Sequence, residues 1–215
     1  MTRSGRTIFI SGNPPVGNVW KDVRVPRGVV TDGGTLHIVL LSGGIDSATG
    51  LALICQAGSQ ASALFVDYGQ AAALSEARAS AALAAHFGVQ HQALTCSGRS
   101  FGAGEIRGRN AFLVHLAFMA FPNETGVVVI GIHAGTVYRD CSSDFVNLMQ
   151  QSYDFHAGGR MALVAPFVDY SKADVFNLAV KLELPLELTY SCEAGNEPCG
   201  LCLSCLDRGE LRASA

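Results

Sequence analysis

Leu36-His37-Ile38-Val39-Leu40-Leu41 leads straight into Ser42-Gly43-Gly44-Ile45-Asp46-Ser47, and the chain continues from Ala48 to Ala57 with a helix-forming composition. An uninterrupted apolar run of this kind reads as a strand buried on both faces, the paired glycines as a tight loop, and the residues after them as a helix. That order creates an anion site, because backbone amides and the positive end of a helix dipole converge on one point. Two adjacent glycines let the backbone approach phosphate oxygens closely, Ser42 and Ser47 add hydroxyl donors, and Asp46 can help to hold a magnesium ion. The loop suits pyrophosphate. It has neither the G-x-G-x-x-G of dinucleotide-binding folds nor the lysine of a Walker-type loop. The competing reading is a plain strand-to-helix turn, since serine, glycine and aspartate are ordinary turn residues.

The same unit recurs downstream. Ser62 to Val66 reads as a second apolar strand, and Ala71 to Phe87 as an alanine-rich helix closed by Gly88. Gln92 to Thr95 reads as a third strand, Asn110 to Phe121 as a helix stopped before Pro122, and Val127 to Ile132 as a β-branched fourth strand. Ser143 to Tyr153 is a further predicted helix. So is Ser171 to Leu182, with Ser171 at the N-cap, Asp174 three residues on, and Val175, Leu178, Ala179 and Leu182 along one face. Apolar strands alternating with helices imply an α/β fold with a parallel sheet covered on both faces. Residues 1–34 precede it as an irregular or β-rich lead-in, marked by the turn signals Asn13-Pro14-Pro15, Val25-Pro26-Arg27-Gly28 and Asp32-Gly33-Gly34. The expected division is therefore 1–34 as lead-in, 35–185 as the nucleotide-binding domain and 186–215 as a C-terminal segment.

With 215 residues and 49% hydrophobic content, the chain can bury one sizeable core. A formal charge of −3 with 15% charged residues offers no basic excess for a long nucleic acid, so no direct nucleic-acid partner is expected. Thr7-Ile8-Phe9-Ile10 is the main apolar element near the start, too short for a signal peptide or a spanning helix, and a cytoplasmic protein without a membrane partner is expected.

Four of the seven cysteines crowd together as Cys192, Cys199, Cys202 and Cys205, with Gly195, Pro198 and Gly200 supplying turns. Four thiolates in a compact loop describe a closed tetrahedral zinc site of structural character. An iron–sulfur cluster and unliganded reduced thiols are the alternatives.

The phosphate loop resembles the S-G-G-x-D-S loop of the ATP pyrophosphatases (PP-loop proteins, a Rossmann-like fold), which split ATP between its α- and β-phosphates. Further segments resemble the 7-cyano-7-deazaguanine synthase (QueC) family of queuosine biosynthesis. Asp67-Tyr68-Gly69-Gln70 matches its D-Y-G-Q, and Gly108-Arg109-Asn110 its G-R-N. Tyr138-Arg139-Asp140-Cys141 followed by Phe145 resembles its Y-x-D-C-x-x-x-F. Pro166 through Lys172 resembles its entry to a helix, and Leu188-Thr189-Tyr190-Ser191-Cys192 with Cys205-Leu206-Asp207-Arg208 its metal loop and tail.

The resemblance implies that the carboxylate of 7-carboxy-7-deazaguanine attacks the α-phosphate of ATP, and that a nitrogen nucleophile then displaces AMP. In the family a second ATP completes dehydration to the nitrile. It also implies ATP, Mg2+ and Zn2+ as cofactors and a homodimer. Together, loop and resemblance assign ATP binding to Leu40, Ser42, Gly43, Gly44, Asp46, Ser47, Asp67, Gln70 and Asn110. They assign catalysis to Asp46, Lys172 and Arg109, and substrate binding to Tyr68, Arg109, His133, Tyr138, Asp140, Cys141 and Phe145.

Lys172 supplies a mobile point charge for pyrophosphate and Arg109 a planar fork, against the alternative that both are exposed surface cations. Asp67 could equally be a turn former, Asn110 an N-cap, Cys141 a small buried hydrophobe, Phe145 a core residue and His133 a loop cap. Two departures stand out: Ala71-Ala72 replaces the Arg-His that typically follows D-Y-G-Q, and residues 1–35 precede the first strand. The acceptor is therefore either ammonia, as in the biosynthetic enzyme, or an amino group on a partner protein, as in resembling paralogues of antiviral operons. A non-catalytic zinc-bearing binding module and a sulfur-transfer enzyme on the same fold are the readings from other classes.

Overall fold

The computed structural model describes residues 35–96, 98–121 and 125–213, with side chains described through residue 210. The predicted lead-in of residues 1–34 lies outside the described residues. Five strands, β1 (His37–Leu40), β2 (Ala61–Asp67), β3 (Gln90–Thr95), β4 (Gly126–Val129) and β5 (Met161–Val164), form one parallel sheet in the order β3-β2-β1-β4-β5. The helices are α1 (Ile45–Gln56), α2 (Ala73–His86), α3 (Arg109–Ala120), α4 (Ser143–Ala157), α5 (Lys172–Lys181) and α6 (Leu203–Ala213), with a 3-10 turn at Leu186–Leu188.

The two-residue period of the strands sorts the core into two layers. Val39, Ala63, Val127, Val129, Ala162 and Val164 face α1, α2 and α5 through Ile45, Leu51, Leu83, Ala84, Phe176 and Ala179. Ile38, Leu40, Leu64, Val66, Val128 and Leu163 face α3 and α4 through Val114, Ala117, Tyr153 and Ala157. Burial on both faces is why β4, β5 and all of β1 after His37 are unbroken apolar runs. β3 is the exception, an edge strand with exposed positions and the polar sequence QHQALT, which suits an edge that must not recruit further strands.

Helix ends follow local chemistry. Ser171 caps α5 in a full capping box with Asp174, and Ser142 caps α4 by accepting the Phe145 N–H. After α2, Gly88 takes a left-handed conformation (φ 66°), the Val89 N–H reaches Ala84 O, and the helix closes in a six-to-one turn.

Two elements were not anticipated. β5 is four residues long, and so short a run carries no period that distinguishes it from a loop. α6 occupies what reads as the tail of the metal loop. Among the described residues no helix is long and apolar enough to cross a membrane.

The strand order places a topological switch point between β1 and β4, where crossovers leave in opposite directions and a crevice opens at the carboxyl ends of the strands.

Candidate active site

A cleft of about 270 Å³ fills that crevice. Its floor is Leu40, Leu64, Phe65, Val66, Ile130 and Ile132, and its rim carries Ser42, Gly44, Asp46, Ser47, Tyr68, Gln70, Arg109, Asn110 and Lys172.

The phosphate loop is held from within and from both sides. Ser42 Oγ lies 3.1 Å from Ser47 Oγ, and the Ser47 hydroxyl donates to Gly44 O at 3.0 Å, so the two hydroxyls fix each other. α1 starts at Gly44 without any side-chain cap, unlike α4 and α5, which leaves the unpaired amides of its first turn for an anion. Gly43 has φ 86°, and a Cβ there would lie 2.8 Å from both Ala79 Cβ and Glu76 O. Replacing Gly43 with alanine is expected to cost about 3 kcal/mol through strain plus overpacking, read as a lower urea midpoint with unchanged slope. On the other side, a Cβ on Gly131 would sit 2.9 Å from the backbone of Asp46 and Ser47, so the exit of β4 packs directly on the loop.

Asp46 is the electrostatic centre. Lys172 Nζ donates to Asp46 Oδ2 at 2.7 Å, across 126 residues of sequence. His133, 5% exposed, places Nε2 at 3.6 Å from the same oxygen and accepts the Gly135 N–H on Nδ1. Burial pushes the His133 pKa below its ordinary value, partly offset by Asp46, and because Nδ1 accepts from Gly135 it is Nε2 that carries a proton toward Asp46. Asp46 Oδ1 is buried with no hydrogen-bond partner. A carboxylate oxygen left unpaired beside the uncapped start of α1 fits a hard divalent cation such as Mg2+, which takes one or two carboxylates together with phosphate oxygens. Lys172 itself occupies the first position of α5, where the dipole disfavours a cation, and its contact with Asp46 accounts for that placement.

A second polar group lies where β2 and α3 meet. Gln70 Nε2 donates to Glu76 Oε2 at 2.8 Å and to Val66 O at 3.2 Å, while Gln70 Oε1 accepts the Tyr68 N–H. Burial raises the pKa of both Glu76 and Tyr68, and Arg109 nearby opposes the shift in each. Arg109 Nε donates to Asn110 Oδ1 at 3.3 Å, and Asn110, 3% exposed, donates to Asp140 O at 3.3 Å. Asn110 is therefore inside the first turn of α3 rather than its cap, which is Gly108.

Other predicted residues stand apart from the cleft lining. Asp67 Oδ1 accepts the Gly69 N–H within the turn that ends β2. Gly43 acts through its backbone. Cys141 and Phe145 pack against the α3–α4 side of the core, and the Tyr138 carbonyl accepts the Cys141 N–H.

The cleft also contains Glu76, Tyr190, Ser191, Glu193, Ser204 and Arg208, none of which was assigned a role from sequence. Glu76 is the one carboxylate in an alanine-rich helix, a signal that was legible. The rest come from the C-terminal segment, where only the cysteines carry a ligand pattern that is readable from spacing.

Cys192, Cys199, Cys202 and Cys205 place their four Sγ atoms within 4.8 Å of one another. Backbone amides of Cys199, Leu201 and Cys202 point at the Cys192 and Cys199 sulfurs at 3.3–3.4 Å, as they do toward thiolates. The four sulfurs fit one tetrahedral ion and are too close together to enclose a multi-iron cluster.

The model of the family described as "Queuosine biosynthesis protein QueC" matches residues 36–103 and 102–213. The chain is 35% identical over 207 residues to a 7-cyano-7-deazaguanine synthase of Aquifex aeolicus (strain VF5), covering 80% of this chain and 94% of that one. It is 32% identical over 200 residues to a synthase of the same name from Synechococcus sp. (strain CC9605), covering 78% and 88%. Among solved structures it resembles a predicted subunit of a tRNA methyltransferase from Methanocaldococcus jannaschii, with a TM-score of 0.51 over 68% of this chain and 74% of that one. At 13% identity that last likeness speaks to the fold alone.

Proposed function

Because the chain belongs to the QueC family of queuosine biosynthesis proteins, we propose that it is an ATP-dependent ligase that adenylates the carboxylate of 7-carboxy-7-deazaguanine and passes the acyl group to nitrogen. The observation that supports this most directly is the Lys172–Asp46 contact at 2.7 Å, set at the mouth of the uncapped α1 with Asp46 Oδ1 buried and unpaired. A cation, an anion and free amides held together in this way are what an in-line displacement at a phosphate needs, since such chemistry consists mainly of positioning and charge neutralisation.

In this reading the ATP phosphates lie on the amides of Gly44 to Ser47, with the hydroxyls of Ser42 and Ser47 alongside and the nucleoside over Leu40, Gln70 and Asn110. Asp67 shapes the turn from which Gln70 reaches the cleft. The substrate carboxylate oxygen attacks the α-phosphorus, the bond to the bridging oxygen of pyrophosphate breaks, and Lys172 moves from Asp46 to the departing pyrophosphate. Mg2+, held by Asp46, would neutralise charge on the phosphate oxygens. An amine then adds to the acyl carbon and AMP leaves, giving the amide; dehydration driven by a second ATP gives 7-cyano-7-deazaguanine.

Arg109 and Tyr68 are the proposed contacts to the deazaguanine. Asp140 is the proposed acceptor for its ring N–H groups, with Tyr138, Cys141, Phe145 and His133 closing that side. Zinc on the four cysteines is proposed to be structural. The proposed division is 35–185 for the ATP domain and 186–215 for the zinc segment, in a cytoplasmic enzyme.

Products of incubation with Mg2+, ATP and 7-carboxy-7-deazaguanine, with and without ammonium, test the proposal by mass spectrometry. Nitrile together with AMP and pyrophosphate is the expected result. Amide without nitrile would move the acceptor to a protein amine, and absence of AMP would overturn the adenylation step.

A further inference from the structure

The guanidinium of Arg208, on α6 one turn beyond Cys205, spans three acceptors in the preceding segment. Nη1 donates to Thr189 Oγ1 at 2.8 Å and to Ser191 Oγ at 3.1 Å, and Nη2 donates to Leu186 O at 2.7 Å. Two of these partners flank Tyr190, and the Tyr190 N–H donates to Gly43 O at 2.9 Å. Gly43 is the left-handed residue whose conformation turns the phosphate loop from β1 into α1. The segment is tied down at other points too. The Tyr190 hydroxyl donates to Gly195 O at 2.6 Å, and Asn196 holds the start of α2 by accepting the Ser75 N–H and hydroxyl at 3.0 and 2.8 Å. The cysteine loop is thereby fastened across the cleft rather than hanging beside it, and Arg208 is the link that reaches the phosphate loop through one residue.

We infer that Arg208 is a positioning residue for the phosphate loop: it fixes Leu186–Ser191 so that the Tyr190 N–H holds the Gly43 carbonyl and the amides of Gly44 to Ser47 are preset for phosphate. The inference rests on the reading that this loop binds ATP. A preset loop spends less of its binding energy on ordering, so the effect falls on nucleotide affinity more than on the chemical step. A lysine would not replace the arginine, because one ammonium cannot span three acceptors that a planar fork meets together.

Calorimetric titration of the zinc-loaded chain with Mg2+ and α,β-methylene-ATP, and AMP release at saturating ATP, test this on Arg208→Lys, Arg208→Ala and the double variant Thr189→Val/Ser191→Ala. Each is expected to raise the Kd for nucleotide by roughly tenfold, the scale of losing a charge-assisted hydrogen bond, with AMP release at saturation within about twofold of wild type. The double variant keeps the arginine, so a weakened affinity there identifies positioning; adding Arg208→Ala to it removes only the remaining contact to Leu186 O and is expected to weaken binding by less than the same substitution does in the wild-type chain. Nucleotide affinity unchanged in Arg208→Lys would overturn the inference. So would a normal affinity in the double variant beside a weakened Arg208→Ala, because that pair of results assigns Arg208 to direct phosphate contact. A wild-type chain that binds no nucleotide would remove the ATP reading and this inference together.

Discussion

Asp46→Asn is expected to lower AMP release by about a thousandfold while leaving the fold intact, from the loss of the carboxylate proposed to hold a cation where charge develops. Asparagine has the same shape and can still accept from Lys172, so the 2.7 Å contact can persist as a hydrogen bond from the ammonium to an uncharged amide oxygen. What disappears is the charge that places Lys172 at the head of α5 and the carboxylate oxygen, Oδ1, that no group of the protein satisfies. The amide nitrogen takes the place of Oδ1 just as unpaired, while the charge facing Lys172 and the first turn of α1 is lost, so the variant is expected to stay within about 1 kcal/mol of wild-type stability, on the lower side. Such a combination, activity lost with stability kept, separates a chemical role from a structural one. HPLC of AMP alongside a thermal unfolding curve measures both, and AMP release within tenfold of wild type would remove Asp46 from the mechanism.

Cys192→Ser is expected to abolish stoichiometric zinc binding and to lower Tm by roughly 10 °C. Cys192 is the buried member of the four, 2% exposed, and its sulfur accepts the Cys199 N–H. A structural zinc site contributes about 10–16 kcal/mol in small peptides. Here the segment is also held by Tyr190, Asn196 and Arg208, so only part of that energy is lost. A loss of about a third, at about 2–4 °C per kcal/mol for a domain of this size, gives the predicted shift. Because Tyr190 connects the segment to Gly43, nucleotide affinity should fall in the same variant. Metal analysis of the purified chain and unfolding with and without a chelator decide it; a chain that carries no metal and ignores the chelator would leave the cysteines as free thiols.

Much of this architecture is written locally. The run from Leu36 to Leu41, the loop Ser42–Ser47 and the helix after it specify one another through neighbouring residues, because a strand buried on both faces, a left-handed glycine and an uncapped helix start are each short-range matters. Ser171 and Asp174 mark the start of α5 for the same reason. The spacing of Cys192, Cys199, Cys202 and Cys205 likewise points to a candidate metal site, since the four thiols lie within one short segment that ends in the first turn of α6.

Tertiary structure decided what depends on distant pairs. Nothing in the sequence near residue 46 names Lys172 as its partner; the sheet order β3-β2-β1-β4-β5 brings them together by placing the ends of β1 and β4 side by side, with α5 returning over α1. Strand β5 becomes a strand because β4 offers it a ladder, not because MALV demands one. Arg208 and Tyr190 enter the cleft only once the cysteine loop has folded back over the phosphate loop. Local rules act through covalent neighbours and their few torsions, whereas the cleft is assembled from contacts whose loop-closure cost is met only when the whole core is buried, so only the folded chain selects them.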